Sequence, residues 1–500
     1  MVPVAQLLVP VLTADADGRF TAARARADEA LALGVGGFLL SGGDQDAVRG
    51  LAKELQQRSR TPLLIGADLE RGAGQQFAGA TGLPPLAAVA WLGDLEALRR
   101  AARLTAREAR TMGVNWNLSP VCDLDLGSPS PVLGARAFGP DGATVARLAS
   151  AWIEACQAEG VLACAKHFPG LGRVTEDPHL GPAEVRAPRD VLHAEDLAPF
   201  RAAFAANVAS VMTAHVAYPA LDPGGLPATL SREMITWLLR QQLRYDGLVV
   251  TDALDMRGVL AAAADEGDAA VRALAAGCDM VLAPSDVAAT AAALDRALAS
   301  HALDPVRVQQ SVRRRLKWAQ WASPPNDWRR PAATDVMWGA QLADRVVHLV
   351  RGEAPPAADA LDVLVVDDAA HGARDGVLDR LAVRADDRAA LFDTLRAGGV
   401  AARAVDDAHG GTDALAVALF GGDGWPAPYS EAALGRVRAA VAGAEAHGRP
   451  VTVLHFAHPR TAPDVGGVPV VCAWSGDRAM QQAAARWLAA RRGGGVGAPA

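Results

Sequence analysis

The sequence predicts an α/β protein, a closed (β/α)8 barrel of the TIM type followed by a smaller α/β sandwich domain. Three observations carry this. Up to about residue 320, eight short apolar runs alternate with alanine- and arginine-rich helical stretches. Acidic and basic residues gather where those runs end. A proline-rich break at residues 323–335 then precedes four further strand-like runs.

The eight runs are Gln6–Leu12, Val35–Leu40, Leu63–Asp68, Val114–Val121, Val161–His167, Ser210–His215, Leu248–Asp252 and Asp279–Ala283. Strands buried on both faces of a parallel sheet read as such continuous apolar runs, parallel pairing needs helical crossovers between them, and closure removes the sheet edges. The first, MVPVAQLLVPVL, lacks a basic leader and a small-residue cleavage site, so it reads as a strand rather than a signal peptide. The break SPPNDWRRPAATD reads as a linker. Beyond it, Val363–Asp368, Ala414–Gly422, Val451–Pro459 and Val468–Trp474, with a helical stretch over Ser430–Gly448, predict a small open sheet with helices packed on it. The expected organisation is a catalytic barrel over 1–322, a linker over 323–335, a sandwich domain over 336–492 and a frayed tail, GGGVGAPA, over 493–500.

Five hundred residues exceed one ordinary domain, and 51% hydrophobic against 21% charged residues can bury a large core. A net charge of -7 argues against nucleic acid or an anionic membrane as the main partner. No stretch reaches the ~20 apolar residues of a membrane span. The five cysteines, an odd count without a CxxC pair, speak against a disulfide framework and a zinc site and fit a reducing cytoplasm. The glycine clusters are too short and misplaced to cradle phosphate. Oligomeric state is not encoded in any of these features.

The segment Lys166 to His179, KHFPGLGRVTEDPH, is the richest in chemistry, with a lysine, two histidines and two acids in a glycine-bearing loop at the end of the fifth run. That is the rim where parallel barrels carry their active sites. Lysine occurs only at Lys53, Lys166 and Lys317, so Lys166 stands out from the arginine bias. Its compact ammonium suits donation to sugar hydroxyls in a tight pocket. Asp68 and Glu70 follow the third run, Asp123 the fourth, His215 the sixth and Asp252 the seventh. Asp252, in LVVTDALDM, is a carboxylate delivered by a rigid strand with small Ala253 after it, as a nucleophile toward an anomeric carbon requires. In Asp177-Pro178-His179, extended chain puts both side chains on one face, so the carboxylate can hold the imidazole and favour its protonated form.

With these residues together, the first 320 or so positions resemble the bacterial β-N-acetylhexosaminidases of glycoside hydrolase family 3. The resemblance is carried by Ser119–Asp141, the KHFPG loop through DPH, Val211–Ser231 and Tyr245–Met256. It implies Asp252 as nucleophile, His179 held by Asp177 as acid/base, and sugar contacts from Asp68, Arg136, Lys166 and His167, with His215 lining the same rim. It further implies double displacement through a glycosyl-aspartate, with no metal or cofactor, on a terminal N-acetylglucosamine of cell-wall or chitin fragments. Leu171 and Pro178 replace the family's usual histidine and serine, and DLERGAG replaces DQEGGRV, which alters the pocket wall. Three alternatives remain at this level: a phosphorylase, because an imidazole acid/base repels phosphate less than a carboxylate does; a β-glucosidase; and a sugar-binding protein without turnover.

Overall fold

The computed structural model describes residues 3–127, 132–322, 332–368, 388–408, 413–421 and 429–493. Residues 323–331 of the expected linker and 494–500 of the expected tail lie outside these, as does 128–131 within the fourth-strand loop.

The barrel strands are β1 (Leu8–Val9), β2 (Val11–Thr13), β3 (Gly37–Ser41), β4 (Leu64–Ala67), β5 (Trp116–Asn117), β6 (Cys164–Phe168), β7 (Ser210–Thr213), β8 (Leu248–Ala253) and β9 (Met280–Leu282). Each of the eight apolar runs overlaps one of them, the first run being divided between two. Pro10 divides it because proline has no N–H to give to a ladder. On one side of that proline Leu8 pairs with Val281; on the other Val11 pairs with Leu39. All neighbours are parallel, in the orders β2-β3-β4-β5 and β6-β7-β8-β9-β1. Parallel bridges Trp116 to Leu162 and Val121 to Lys166 join β5 to β6 and close the ring.

Period-two alternation sorts the side chains. Leu64, Trp116, Cys164, Met212, Leu248, Val250 and Met280 fill the barrel interior. Ile65, Val211, Val249 and Val281 point into the layer beneath the helices. Continued upward, that parity turns Asp68, Lys166 and Asp252 inward at the C-terminal rim. The surrounding helices begin at side-chain caps such as Asp94, Asp141, Asp286 and Asp304, each accepting a first-turn N–H that would otherwise lack a partner within the helix.

The second sheet runs β10-β15-β14-β13-β11-β12, with β10 (His348–Arg351) antiparallel to β15 (Val470–Cys472). The rest, β11 (Ala360–Asp367), β12 (Ala401–Val405), β13 (Ala414–Phe420) and β14 (Val451–Phe456), are parallel. Apolar clusters cover both faces. The two edge strands β10 and β12 escape sequence reading because they are short and half-exposed, with no sustained apolar run. The helix Ala333–Val346 takes up the last three positions of the expected linker, and its Asp335 pairs with Arg100 of the barrel at 3.0 Å.

The domains share a buried face. Ala87 and Ala88 of the barrel belong to the cluster that contains Ala343, Phe420 and Phe456, and Trp91 stacks on His348 at 4.2 Å. No helix among the described residues is long and apolar enough to cross a membrane.

Candidate active site

Asp252 ends the inward-facing row of β8, and its Oδ1 accepts the Ala253 N–H at 2.8 Å. Burial pushes this carboxyl up, but the imidazoles of His167, His215 and His179 act more strongly and bring it below the ordinary carboxylate value. Near neutral pH it is a carboxylate in a partly desolvated place, as attack on carbon requires.

His179 sits on the loop after β6, with Nδ1 2.6 Å from Asp177 Oδ1, and its backbone N–H donates to the same oxygen at 3.0 Å. Two residues of chain thus close a small ring that fixes the imidazole, leaving Nε2 as its outer nitrogen. The loop is fastened to the turn that follows Asp252. Gly258 N donates to the Pro178 carbonyl at 2.9 Å, and Arg257 N to the His179 carbonyl at 3.4 Å. A Cβ on Gly258 would stand 2.5 Å from the Pro178 oxygen and 3.0 Å from that of His215, so only glycine permits this approach.

On the opposite arc, Lys166 Nζ lies 2.6 Å from Asp68 Oδ1 and 2.8 Å from Glu70 Oε1, and Arg136 holds Glu70 through two bonds of 2.8 and 3.0 Å. Burial opposes all these charges, yet the pairing prevails: Glu70 is held far below the carboxylate range, and Lys166 and Arg136 are raised. This network gathers N–H donors and the Asp68 carboxylate at the rim, groups of the kind that pair with sugar hydroxyls. His167 joins it, its Nδ1 2.7 Å from Asp123 Oδ2, while Asp123 also accepts the N–H groups of His167 and Leu171.

Glu70 supplies a pH prediction. Its unfolded carboxyl titrates near ~4.3 and its folded value is lower. Its stabilising contribution is therefore present above pH ~4.3 and lost as pH falls below it. In urea unfolding between about pH 6 and about pH 3, Glu70→Gln should lose stability with falling pH less steeply than the wild type. An equal or steeper fall would remove the carboxylate from this account.

His215, which sequence reasoning sets among the sugar contacts, is turned elsewhere. It is 1% exposed, with Nδ1 at 2.8 Å from the Thr229 hydroxyl and Nε2 at 3.0 Å from the Ala253 carbonyl. Both ring nitrogens are engaged, and burial lowers its pKa, so the neutral ring accepts from Thr229 and donates to Ala253. Its place is beside the end of β8, where it holds the Ala253 carbonyl next to Asp252. Conversely, Asp123 and Glu70 hold positions that sequence reasoning notes at the rim without giving them a task.

An ionised carboxylate, an imidazole braced by its own acid on the adjoining loop, and a cluster of paired N–H donors, at the rim of a (β/α)8 barrel, form a set of groups suited to glycoside hydrolysis. The comparisons with known proteins agree. Residues 3–317 match the Glycosyl hydrolase family 3 N terminal domain, and the chain belongs to that family. A β-N-acetylglucosaminidase/β-glucosidase of Cellulomonas fimi is 37% identical over 298 residues, 57% of this chain and 52% of that protein, so the match spans about half of the relative's length. A β-hexosaminidase of Chromobacterium violaceum is 36% identical over 65% of this chain and 90% of its own. Among solved structures, a family 3 β-N-acetylglucosaminidase from Paenibacillus sp. str. FPU-7 superposes with a TM-score of 0.83 at 27% identity, covering 98% of this chain and 96% of that one.

Proposed function

We propose that this protein is a retaining exo-β-N-acetylhexosaminidase that removes terminal N-acetylglucosamine by double displacement. The observation that carries the proposal is the fastening of the Asp177–His179 loop to the turn that follows Asp252. It keeps a proton donor beside a nucleophile. The names borne by the Cellulomonas, Chromobacterium and Paenibacillus relatives support the sugar.

In the first step Asp252 forms a bond to the anomeric carbon as the glycosidic C–O bond breaks, and His179, protonated, gives its Nε2 proton to the departing oxygen. Asp177 stabilises the imidazolium and fixes its orientation. In the second, neutral His179 takes a proton from water, which attacks the anomeric carbon and returns Asp252 to its carboxylate form. Asp68, Arg136, Lys166 and His167 hold the sugar hydroxyls. The two-domain division at residues 323–335 and a cytoplasmic location belong to the same proposal, and the five buried thiols, none in a disulfide, support the latter.

The imidazole acid/base keeps phosphorolysis as a second reading, since phosphate meets no carboxylate acid at the second step. One assay tests the reaction and the sugar. Aryl β-N-acetylglucosaminide and aryl β-glucoside are turned over with and without inorganic phosphate, and products are resolved. The proposal expects free N-acetylglucosamine, a preference of about tenfold or more over glucoside, and no phosphate dependence. Sugar 1-phosphate as the main product, or glucoside turned over as fast, would overturn the hydrolase or the sugar assignment respectively.

A further inference from the structure

The second domain makes charged contacts with the barrel rim at Asp477, 3.8 Å from Arg71, and at the turn that carries Arg460. After β14 the chain makes a short turn, Pro459–Thr461, and its conformation is braced from inside. His455 Nε2 lies 3.0 Å and the Thr461 hydroxyl 2.7 Å from the His458 carbonyl, while Tyr429 hydrogen-bonds His455 Nδ1 at 2.8 Å. His458 Nδ1 accepts the Arg460 N–H at 3.3 Å, and its ring meets Trp474 edge-on. From this turn Arg460 Nη1 hydrogen-bonds Asp125 Oδ2, and His458 Nε2 lies 3.8 Å from the same oxygen.

Asp125 is 6% exposed and sits between the two arms of the sugar site. Two residues before it, Asp123 holds the imidazole of His167. Its own N–H donates at 2.9 Å to the carbonyl of Gly139, in the segment that carries Arg136. Between them, the Leu124 carbonyl packs so close to the His167 loop that a Cβ on Gly172 would stand 2.4 Å from it. The segment cannot shift without moving both arms.

We propose that Arg460 is a positioning residue: by neutralising and holding Asp125, the second domain fixes His167 and Arg136 in the geometry that binds the sugar. This rests on the sugar-contact roles proposed above. Removing the guanidinium leaves the buried Asp125 carboxylate only the long 3.8 Å approach of His458, and the segment relaxes toward water to solvate it. Because both arms act on the bound sugar and neither attacks nor protonates, the defect falls on substrate binding.

The test is steady-state kinetics on an aryl N-acetylglucosaminide for the full chain and for Arg460→Ala, Arg460→Lys and Asp125→Asn, with thermal unfolding run beside it. Arg460→Ala should raise KM about tenfold or more while kcat stays within about threefold, and Arg460→Lys should recover most of the loss. A folded Arg460→Ala enzyme with wild-type KM, or one whose Tm alone falls, overturns the proposal. Should Arg460→Ala not fold, Asp125→Asn, which keeps the shape and removes the charge, carries the same expectation and the same refutation. A wild-type enzyme inert toward the N-acetylglucosaminide would instead refute the proposed function. An active wild type with unchanged KM in the variants refutes the positioning role alone.

Discussion

Asp252→Asn is expected to lower kcat by on the order of 10⁴-fold or more, with the fold intact. The amide cannot form a glycosyl ester, so the proposed first step would lose its nucleophile altogether, not a share of its stabilisation. The substitution nearly conserves shape, Ala253 N can still donate to the remaining carbonyl oxygen, and the barrel core lies below this position. Far-UV circular dichroism and Tm should therefore remain close to wild type, and the bound sugar should remain measurable by calorimetry. A variant retaining more than about a tenth of wild-type kcat would remove Asp252 from the nucleophile's role.

The second large effect separates the two chemical tasks. His179→Ala should cost about 10²- to 10⁴-fold on glycosides with alkyl leaving groups, because an alkoxide must be protonated as it departs. It should cost far less on dinitrophenyl or similarly activated aryl glycosides, whose leaving groups depart unaided. Asp177→Asn should follow the same pattern with smaller amplitude, since in the proposed mechanism its Oδ1, 2.6 Å from Nδ1, sustains the imidazolium without touching the substrate. A loss equal across leaving groups would contradict the assignment, for it would indicate a displaced loop and not a missing proton. The fastening of this loop through Gly258 makes that outcome a real alternative to be measured.

Much of this was legible in the residues because side chains alternate along the barrel strands, with register shifts at the rim ends of β6 and β8. Once Leu248 and Val250 are placed inside, Asp252 follows by alternation, and the same counting carries Cys164 to Lys166 and Leu64 to Asp68. The dyad was legible too, being a contact two residues apart. What was not legible depends on closure in three dimensions. Arg136 and Glu70 are 66 residues apart and His167 and Asp123 44 apart, and no local pattern pairs them. His215 falls out of inward phase with Met212, and its residue type alone invites a sugar contact that its two engaged nitrogens exclude. The Arg460–Asp125 pair spans 335 residues and two domains. Edge strands β10 and β12 carry too few buried side chains to leave a periodic trace.

The most direct measurement is mass spectrometry of the enzyme treated with an activated 5-fluoro N-acetylglucosaminyl fluoride, which slows the second displacement and accumulates the covalent species. The account predicts one sugar per chain, on the peptide containing Asp252, released with recovery of activity on standing in water. A label on another carboxylate, or no covalent species with a product of inverted anomeric configuration, would contradict it.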